Sequence, residues 1–156
     1  MLPRSILPLV AAALMLIAIS HSGYAQTIYD ADTTISTPTD VDSFDVTGGA
    51  TLTVTTDGVL STQGAVSSNV GTVAGFGSLL INGSGVVNVE VGFPSNLTIG
   101  HRNGLGGELT VEDDGILNIG NAFVLASRTP ATINLSDNGA INVGVNGPPS
   151  DEFRVG

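Results

Sequence analysis

A phrase that recurs four times constrains the fold of this chain more than any other feature. Its clearest copy is Gly107–Gly120, GELTVEDDGILNIG, in which Leu109 and Val111 precede a polar corner and Leu117 and Ile119 follow it. A period of two places these apolar residues on one face of an extended chain. Each copy therefore predicts two short strands joined by a corner.

A glycine closes each corner of the phrase. The aligned glycines are separated by 27, 30 and 24 residues, at Gly58, Gly85, Gly115 and Gly139. We expect glycine at this position to supply the positive φ that a tight corner needs. Imperfect copies at such a period indicate a solenoid, in which one unit cannot bury its own apolar face and must stack on its neighbours.

A third apolar piece follows the corner phrase in the later units. Leu97–Gly100, Phe123–Ala126 and Phe153–Gly156 share the form apolar, any residue, apolar, small. Three strands in each unit fit one coil of a parallel β-helix, whose layers lie about 4.8 Å apart. In the third unit the predicted inward residues are Leu109, Val111, Leu117, Ile119, Phe123 and Leu125. We predict an all-β protein: a right-handed parallel β-helix of about four coils, preceded by a signal peptide.

The predicted organisation divides the chain into a leader, a cap and four repeat units. Residues 1–25 form the leader and residues 26–47 an irregular N-terminal coil or cap, because terminal units of a solenoid are atypical. The repeats occupy residues 48–74, 75–103, 104–129 and 130–156, and we expect the last to be truncated. Several short strands with turn signals also suit an antiparallel sandwich or barrel, which stays open as the alternative fold.

The leader has the three parts of a secretory signal peptide. Arg4 gives a short positive start, Ile6–Ile19 is apolar, and the small residues Gly23 and Ala25 precede Gln26. We predict cleavage between Ala25 and Gln26. A transmembrane anchor is the alternative, but spanning a bilayer takes about 20 apolar residues.

Charge and cysteine content exclude several classes of function. The chain has 14 acidic residues against four basic ones, a formal charge of −10, and no cysteine. Such a surface repels polyanions, so we expect no nucleic-acid partner. Without cysteine there is no disulfide framework and no thiolate chemistry, which favours a bacterial source over a eukaryotic secreted domain.

The third unit carries a family resemblance. The phrase LTIGHRNGLGGELTVEDDGILNIGNAFVLAS resembles the repeat shared by bacterial type V autotransporter passengers and PEP-CTERM-associated proteins. The residues that occupy the pattern are Leu97, Ile99, Gly100, Gly104, Leu109, Val111, Gly115, Leu117, Ile119 and Gly120. The resemblance covers residues 48–156 and implies a β-helical stalk, exposed on the outer membrane or released, and often linked to adhesion or biofilm.

The resemblance also implies partners and an origin for the chain. We expect contacts with other cell surfaces, glycans or further repeats of the same protein. Contact with a membrane is expected only through a C-terminal anchor or barrel, which the sequence to Gly156 does not include. We therefore expect either a passenger fragment or a short secreted relative, whose open last coil would favour end-to-end association.

Residues that often carry chemistry have simpler interpretations here. After the leader, His101 is the one histidine, in a Gly/Asn-rich corner without partners at ligand spacing. Asp40, Asp42 and Asp45 form D-x-D-x-x-D, but Asp45 and Thr51 stand where a calcium-binding EF-hand loop needs Gly and Glu. We therefore predict no catalytic residue, no metal site and no cofactor.

Other polar repeats are interpreted in the same way. The corners Asp113-Asp114-Gly115 and Asp137-Asn138-Gly139 offer oxygen atoms, but they are expected to be solvated turns. Outward Thr51, Thr53 and Thr55 resemble the threonine array of ice-binding solenoids, which later units do not repeat. Sequons for N-glycosylation occur at Asn82, Asn96 and Asn134, and they matter only in a eukaryotic host.

The sequence thus predicts an exported, surface-associated, adhesin-like passenger segment that is not an enzyme. The alternative is a secreted carbohydrate-binding or polysaccharide-degrading β-helix protein. Degradation would require carboxylates together with a base or cationic groups along one face. The chain has no Lys and only four Arg.

Overall fold

The computed structural model describes residues 25–64, 66–89, 96–101, 103–125, 128–144 and 153–155. Within these ranges the chain forms sixteen strands and no helix. In chain order they are β1 (Gln26–Tyr29), β2 (Thr33–Ile35), β3 (Pro38–Val41), β4 (Ser43–Val46), β5 (Thr51–Val54), β6 (Val59–Thr62), β7 (Ser68–Val70), β8 (Gly77–Ile81), β9 (Val86–Val89), β10 (Leu97–Ile99), β11 (Gly107–Val111), β12 (Ile116–Ile119), β13 (Phe123–Leu125), β14 (Ala131–Leu135), β15 (Ala140–Val143) and β16 (Phe153–Val155).

The strands belong to three parallel sheets that the chain visits in turn. Sheet A has the order β1-β4-β7-β10-β13-β16, sheet B the order β2-β5-β8-β11-β14, and sheet C the order β3-β6-β9-β12-β15. Each circuit adds one strand to every sheet, so the structure is a β-solenoid. The predicted all-β solenoid with parallel strands is confirmed, and the predicted leader lies outside the described residues except for Ala25.

The strand pairing excludes the alternative fold, an antiparallel sandwich. Every pair of neighbouring strands in the described ranges is parallel, and the one antiparallel contact there is an isolated bridge between Thr72 and Gly75. Sheets B and C are five strands deep, one more than the number of repeat units. The additional layer is β2 and β3, from the segment 26–47 that the sequence assigns to a cap.

The core consists of aliphatic rows that run along the solenoid. In sheet B, Leu52, Leu79 and Leu109 lie directly above one another and are fully buried. In sheet C, Leu60, Val87 and Leu117 form the equivalent row and are also fully buried. A fully buried side chain of this kind contributes about 1.5–3 kcal/mol. The layers therefore stabilise one another through equivalent aliphatic contacts.

The predicted inward residues of the third unit lie in this core. Five of the six are fully buried, namely Leu109, Val111, Leu117, Ile119 and Phe123. The sixth, Leu125, is partly buried and packs against the same cluster. Strand alternation in the sequence thus assigns the core face correctly.

The corner glycines differ from the prediction. Each of Gly58, Gly85, Gly115 and Gly139 donates its N–H to the carbonyl three residues earlier, but none of them has a positive φ. The left-handed conformation falls instead on a residue inside the turn, at Asp57, Gly83, Asp113 and Asp137. The expectation that the corner glycine supplies positive φ is therefore wrong.

Close approach between layers explains why these positions are glycine. A Cβ atom on Gly115 would lie 2.7 Å from the carbonyl oxygen of Ile81, in the layer beneath. On Gly139 it would lie 2.5 Å from the carbonyl oxygen of Val111. Any side chain would collide with backbone that is already fixed by the sheet. The glycine thus allows two backbones to approach, which is the second common reason for its use.

Candidate functional site

The outer faces of the three sheets are the surfaces that the solenoid offers to other molecules, because aliphatic side chains fill its interior. Each strand alternates, so residues two apart along a strand form neighbouring outward rows. The rows of sheets A and B mix carboxylate, hydroxyl and aliphatic residues. The face of sheet C is chemically more uniform.

A row of polar side chains runs across sheet C and is called here the amide ladder: Ser61, Asn88, Asn118 and Asn142. These residues are register partners in adjacent strands. Nδ2 of Asn142 donates to Oδ1 of Asn118 over 2.9 Å, and Nδ2 of Asn118 donates to Oδ1 of Asn88 over 2.9 Å. Nδ2 of Asn88 lies 3.4 Å from Oγ of Ser61. The bonds all run in one direction, so the amides are held in a common orientation.

Beside the ladder lies the aliphatic row: Val59, Val86, Ile116 and Ala140. Each of these residues is two positions before a member of the ladder and is partly exposed. Together the two rows form the sheet C face. Among the residues of the strands in sheet C, the one charged side chain is that of Asp40, in the first strand. The face is therefore neutral over its later four layers.

Asp45 is the carboxylate on the outer face of sheet A. Its Oδ1 accepts from Nδ2 of Asn69 over 2.7 Å and from Nε2 of Gln26 over 2.8 Å. Burial raises the pKa of Asp45 above its ordinary value, while the bond from Asn69 and the proximity of His101 act in the opposite direction. Desolvation of the charged form outweighs its partners.

Replacement of Asp45 by asparagine is expected to alter the pH dependence of stability. An acid with a raised pKa binds its proton more tightly when folded, so the free energy of unfolding falls as pH rises from about 3.9, the usual aspartate value, through the raised pKa. Asp45→Asn should remove this fall and be at least as stable as the parent at pH 7. Denaturant titrations at several pH values would measure it.

Asn69→Ala is the companion variant for Asp45. It removes a donor that lowers the pKa of Asp45, so its fall in stability with rising pH should be steeper than that of the parent. Parallel pH profiles for the parent and both variants would contradict the assignment, because the carboxylate would then have the same pKa in the folded and unfolded states.

The outer face of sheet B does not continue the threonine array. The row through Thr53 continues with Leu80, Thr110 and Asn134, as the sequence indicates. Nδ2 of Asn134 donates to Oε1 of Glu108 over 2.7 Å and to Oγ1 of Thr110 over 3.3 Å. This face therefore carries a carboxylate and bonds of mixed chemistry, without a repeating lattice of hydroxyls.

The three aspartates of the D-x-D-x-x-D motif do not converge. Asp45 faces outward on sheet A, whereas Asp40 and Asp42 line a cavity of about 300 Å³ together with Ala25, Thr27, Val41 and Gln63. Oδ2 of Asp42 accepts from the N–H of Ala25 over 3.0 Å. In the part of the chain that the structure describes, no group of three or more His, Asp or Glu side chains could hold a metal ion.

His101 and the acidic corners have local partners. Nδ1 of His101 accepts from the N–H of Asn103 over 3.2 Å, within its own loop. Oδ2 of Asp113 accepts from the N–H of Gly83 over 3.3 Å. Oδ1 of Asp114 accepts from Nδ2 of Asn138 over 3.1 Å. The two corner aspartates thus connect adjacent layers.

The predicted cleavage site lies where the described structure begins. Gln26 is the first residue of β1, and Ala25 before it is exposed. Of the predicted sequons, Asn134 is exposed on β14. Among the described residues there is no helix long and apolar enough to span a membrane.

The amide ladder is the feature that sequence reasoning missed. A signal for it exists, because Asn88, Asn118 and Asn142 occupy the same place in VVNV, ILNI and AINV. No protein-family model, curated protein or solved structure matches this chain.

Proposed function

We propose that this chain is an exported, surface-associated β-helix segment with a structural and adhesive role and no catalytic activity of its own. The observation that carries the proposal is the contrast between its inner and outer rows. Inward, the row Val54, Ile81 and Val111 is aliphatic and fully buried through three layers, and its register partner in the last layer, Leu135, is aliphatic but 55% exposed. Outward, the adjacent row Thr53, Leu80, Thr110 and Asn134 changes chemistry at nearly every layer. Such a scaffold maintains its length while its surface varies, which suits extension and display.

Three further parts of the proposal rest on the sequence. The resemblance to autotransporter and PEP-CTERM-associated repeats supports a bacterial cell surface or outer-membrane location, with other surfaces, glycans or further repeats as partners. The leader before Gln26 supports entry into a secretion pathway. We also infer right-handed coils, because parallel crossover connections are right-handed in about 98% of cases.

Export can be tested by expressing the full chain in a Gram-negative host and sequencing the N-terminus of the exported protein. We expect Gln26 as the first residue, because Ala25 and Gly23 satisfy the requirement for small residues before the cut. Ala25→Glu should leave the leader attached, whereas Ala31→Glu, beyond the site, should not. A parent chain that retains Met1 inside the cell would contradict the proposal.

The adhesive role needs a separate assay. Beads coated with the exported protein should bind bacterial cells or their extracellular matrix more than beads coated with an acidic control protein of similar charge. Absence of any binding would leave adhesion without support.

The second candidate function is carbohydrate binding, and the sheet C face favours it. That face combines oriented amides with aliphatic side chains and lacks charge in its later layers. Polysaccharide degradation is a separate matter. Release of reducing ends from a panel of acidic and neutral polysaccharides would indicate catalysis, whereas binding without release would indicate recognition alone.

A further inference from the structure

The amide ladder retains hydrogen-bonding capacity after its internal bonds are made. A side-chain amide has two N–H donors and an oxygen with two lone pairs. In the ladder, Asn118 uses one N–H toward Asn88 and one lone pair toward Asn142. One donor and one lone pair of Asn118 are therefore left over. A sugar hydroxyl both donates and accepts, so it matches such a pair.

The ladder is also ordered before any ligand arrives. The bonds between Asn88, Asn118 and Asn142 fix the side-chain torsions of these residues along the sheet. Immobilising a flexible side chain at an interface costs about 0.5–1.5 kcal/mol, and this cost is already met here by the fold. The sheet C face is thus preorganised to a degree that isolated surface asparagines are not.

The aliphatic row supplies the second half of the surface. Val86 and Ile116 stand two residues before Asn88 and Asn118 and are partly exposed. A pyranose ring has hydroxyl groups around its edge and C–H groups on its faces. A surface with amides in one row and methyl groups in the next therefore meets both kinds of sugar surface at once.

The repeat of the face indicates a polymeric ligand. Successive layers lie about 4.8 Å apart, which is close to the length of one sugar in an extended, equatorially linked chain. Asn88, Asn118 and Asn142 therefore present the same group at nearly the interval at which such a chain presents its hydroxyls. A chain laid parallel to the solenoid axis would place about one sugar against each layer.

Charge selects the class of polysaccharide. The whole chain has a formal charge of −10, and among the strands of sheet C only Asp40 at one end is charged. Long-range repulsion disfavours an anionic polymer. A neutral polymer avoids this repulsion and requires no charged partner on the face.

Area decides against a second copy of the chain as the occupant. Five strands of about four residues cover roughly 320 Å² at about 4.8 Å between strands and 3.3 Å along them. A stable protein–protein interface buries about 800 Å² from each partner. The sheet C face is too small for a dimer but long enough for several sugar residues.

We propose that the sheet C face binds an extended neutral polysaccharide through the amide ladder and the aliphatic row. The proposal deepens the adhesive function and rests on it, because it names the chemistry of the surface that would be contacted.

Affinity electrophoresis in native gels tests the proposal, with β-glucan, xyloglucan or mannan in the gel and polygalacturonate as the anionic comparison. We expect retardation by at least one neutral polymer and none by polygalacturonate. Asn118→Ala should raise the dissociation constant about threefold to tenfold, which is the effect of losing one hydrogen bond. Ile116→Ser removes apolar contact without touching the ladder and should also weaken binding. Thr53→Ala, on the face of sheet B, should bind as the parent does.

Each other outcome overturns the proposal. It fails if no neutral polymer retards the protein, if only polygalacturonate does, or if Asn118→Ala and Ile116→Ser bind unchanged while circular dichroism shows them folded. It also fails if these variants alter the sedimentation coefficient instead, since the face would then contact a second copy. If beads still adhere to cells when no neutral polymer binds, the adhesive function survives and only the glycan assignment is lost.

Discussion

Phe44→Ala is expected to lower the free energy of unfolding by about 3–5 kcal/mol, the usual loss when a buried phenylalanine is truncated. Phe44 is fully buried in β4, beside Thr27 of β1 and with its N–H bonded to Oγ of Ser68 in β7. Because both neighbouring side chains are short, the Phe44 ring fills space that they cannot reach. The cavity left by alanine would therefore remain open. Denaturant unfolding followed by far-UV circular dichroism would measure the loss.

Ile28→Ala is the matched control for Phe44→Ala. Ile28 lies in β1 of the same sheet, but its side chain is 61% exposed. Its truncation removes an aliphatic side chain from a strand without creating a cavity, so we expect a change within about 0.5 kcal/mol, the usual range for surface substitutions. Equal losses in the two variants would mean that Phe44 does not fill the core as described.

Gly107→Ala is expected to destabilise the fold by about 3 kcal/mol or more, at the upper end of overpacking effects. Gly107 is buried at the start of β11, where an added Cβ would collide with the carbonyl oxygen of Val70 and lie 2.8 Å from the backbone N of Gly100. Both neighbours are backbone atoms, and the N–H of Gly100 donates to the carbonyl of Val70. Neither can move without breaking the contact between layers. Denaturant unfolding followed by far-UV circular dichroism would measure this loss as well.

Gly49→Ala separates close approach from backbone conformation. Gly49 has a φ of 88°, but a Cβ atom there would meet nothing within 4 Å. Its substitution should therefore carry only the conformational penalty, about 1–2 kcal/mol. A larger loss for Gly49→Ala than for Gly107→Ala would refute the explanation by close approach.

The layered core is the part of the structure that the sequence predicts best. Leu109 and Val111 alternate with polar residues, and Leu117 and Ile119 do so again after the corner. Since equivalent phrases recur, the residues that face inward in one unit face inward in all of them. The same pattern is weaker in the first coil, where the first inward position of β2 and of β3 is a threonine, Thr33 or Thr39, and only the second is aliphatic, at Ile35 and Val41. In this coil β2 and β3 nevertheless pair in register with β5 and β6.

The role of the corner glycines could not be decided from sequence alone. Glycine is favoured both by positive φ and by close approach of another backbone. At Gly115 the second reason applies, and it depends on the carbonyl of Ile81, thirty-four residues earlier in the chain. Local turn preferences contain no information about that atom.

The candidate site also combines features that are visible in the sequence with features that depend on the fold. Asn88, Asn118 and Asn142 are visible as a repeated residue type, but their mutual hydrogen bonds follow from the parallel register of β9, β12 and β15. Asp40 and Asp45 are close in sequence and nonetheless belong to different sheets. Proximity in sequence therefore suggests an aspartate cluster that the fold does not form. It gives no indication of the amide ladder, whose asparagines are far apart in the chain.

The parallel register gives the molecule the properties of a ruler. Gly77 and Gly107 are register partners thirty residues apart, and Leu79 and Leu109 follow in the same relation. Inserting or deleting one such unit would still place inward residues of one layer above inward residues of the next. It would change the length of the solenoid by one layer, about 4.8 Å. Gene duplication and deletion can therefore adjust the reach of the scaffold in whole steps, whereas a shift of a single residue would turn every subsequent inward side chain outward.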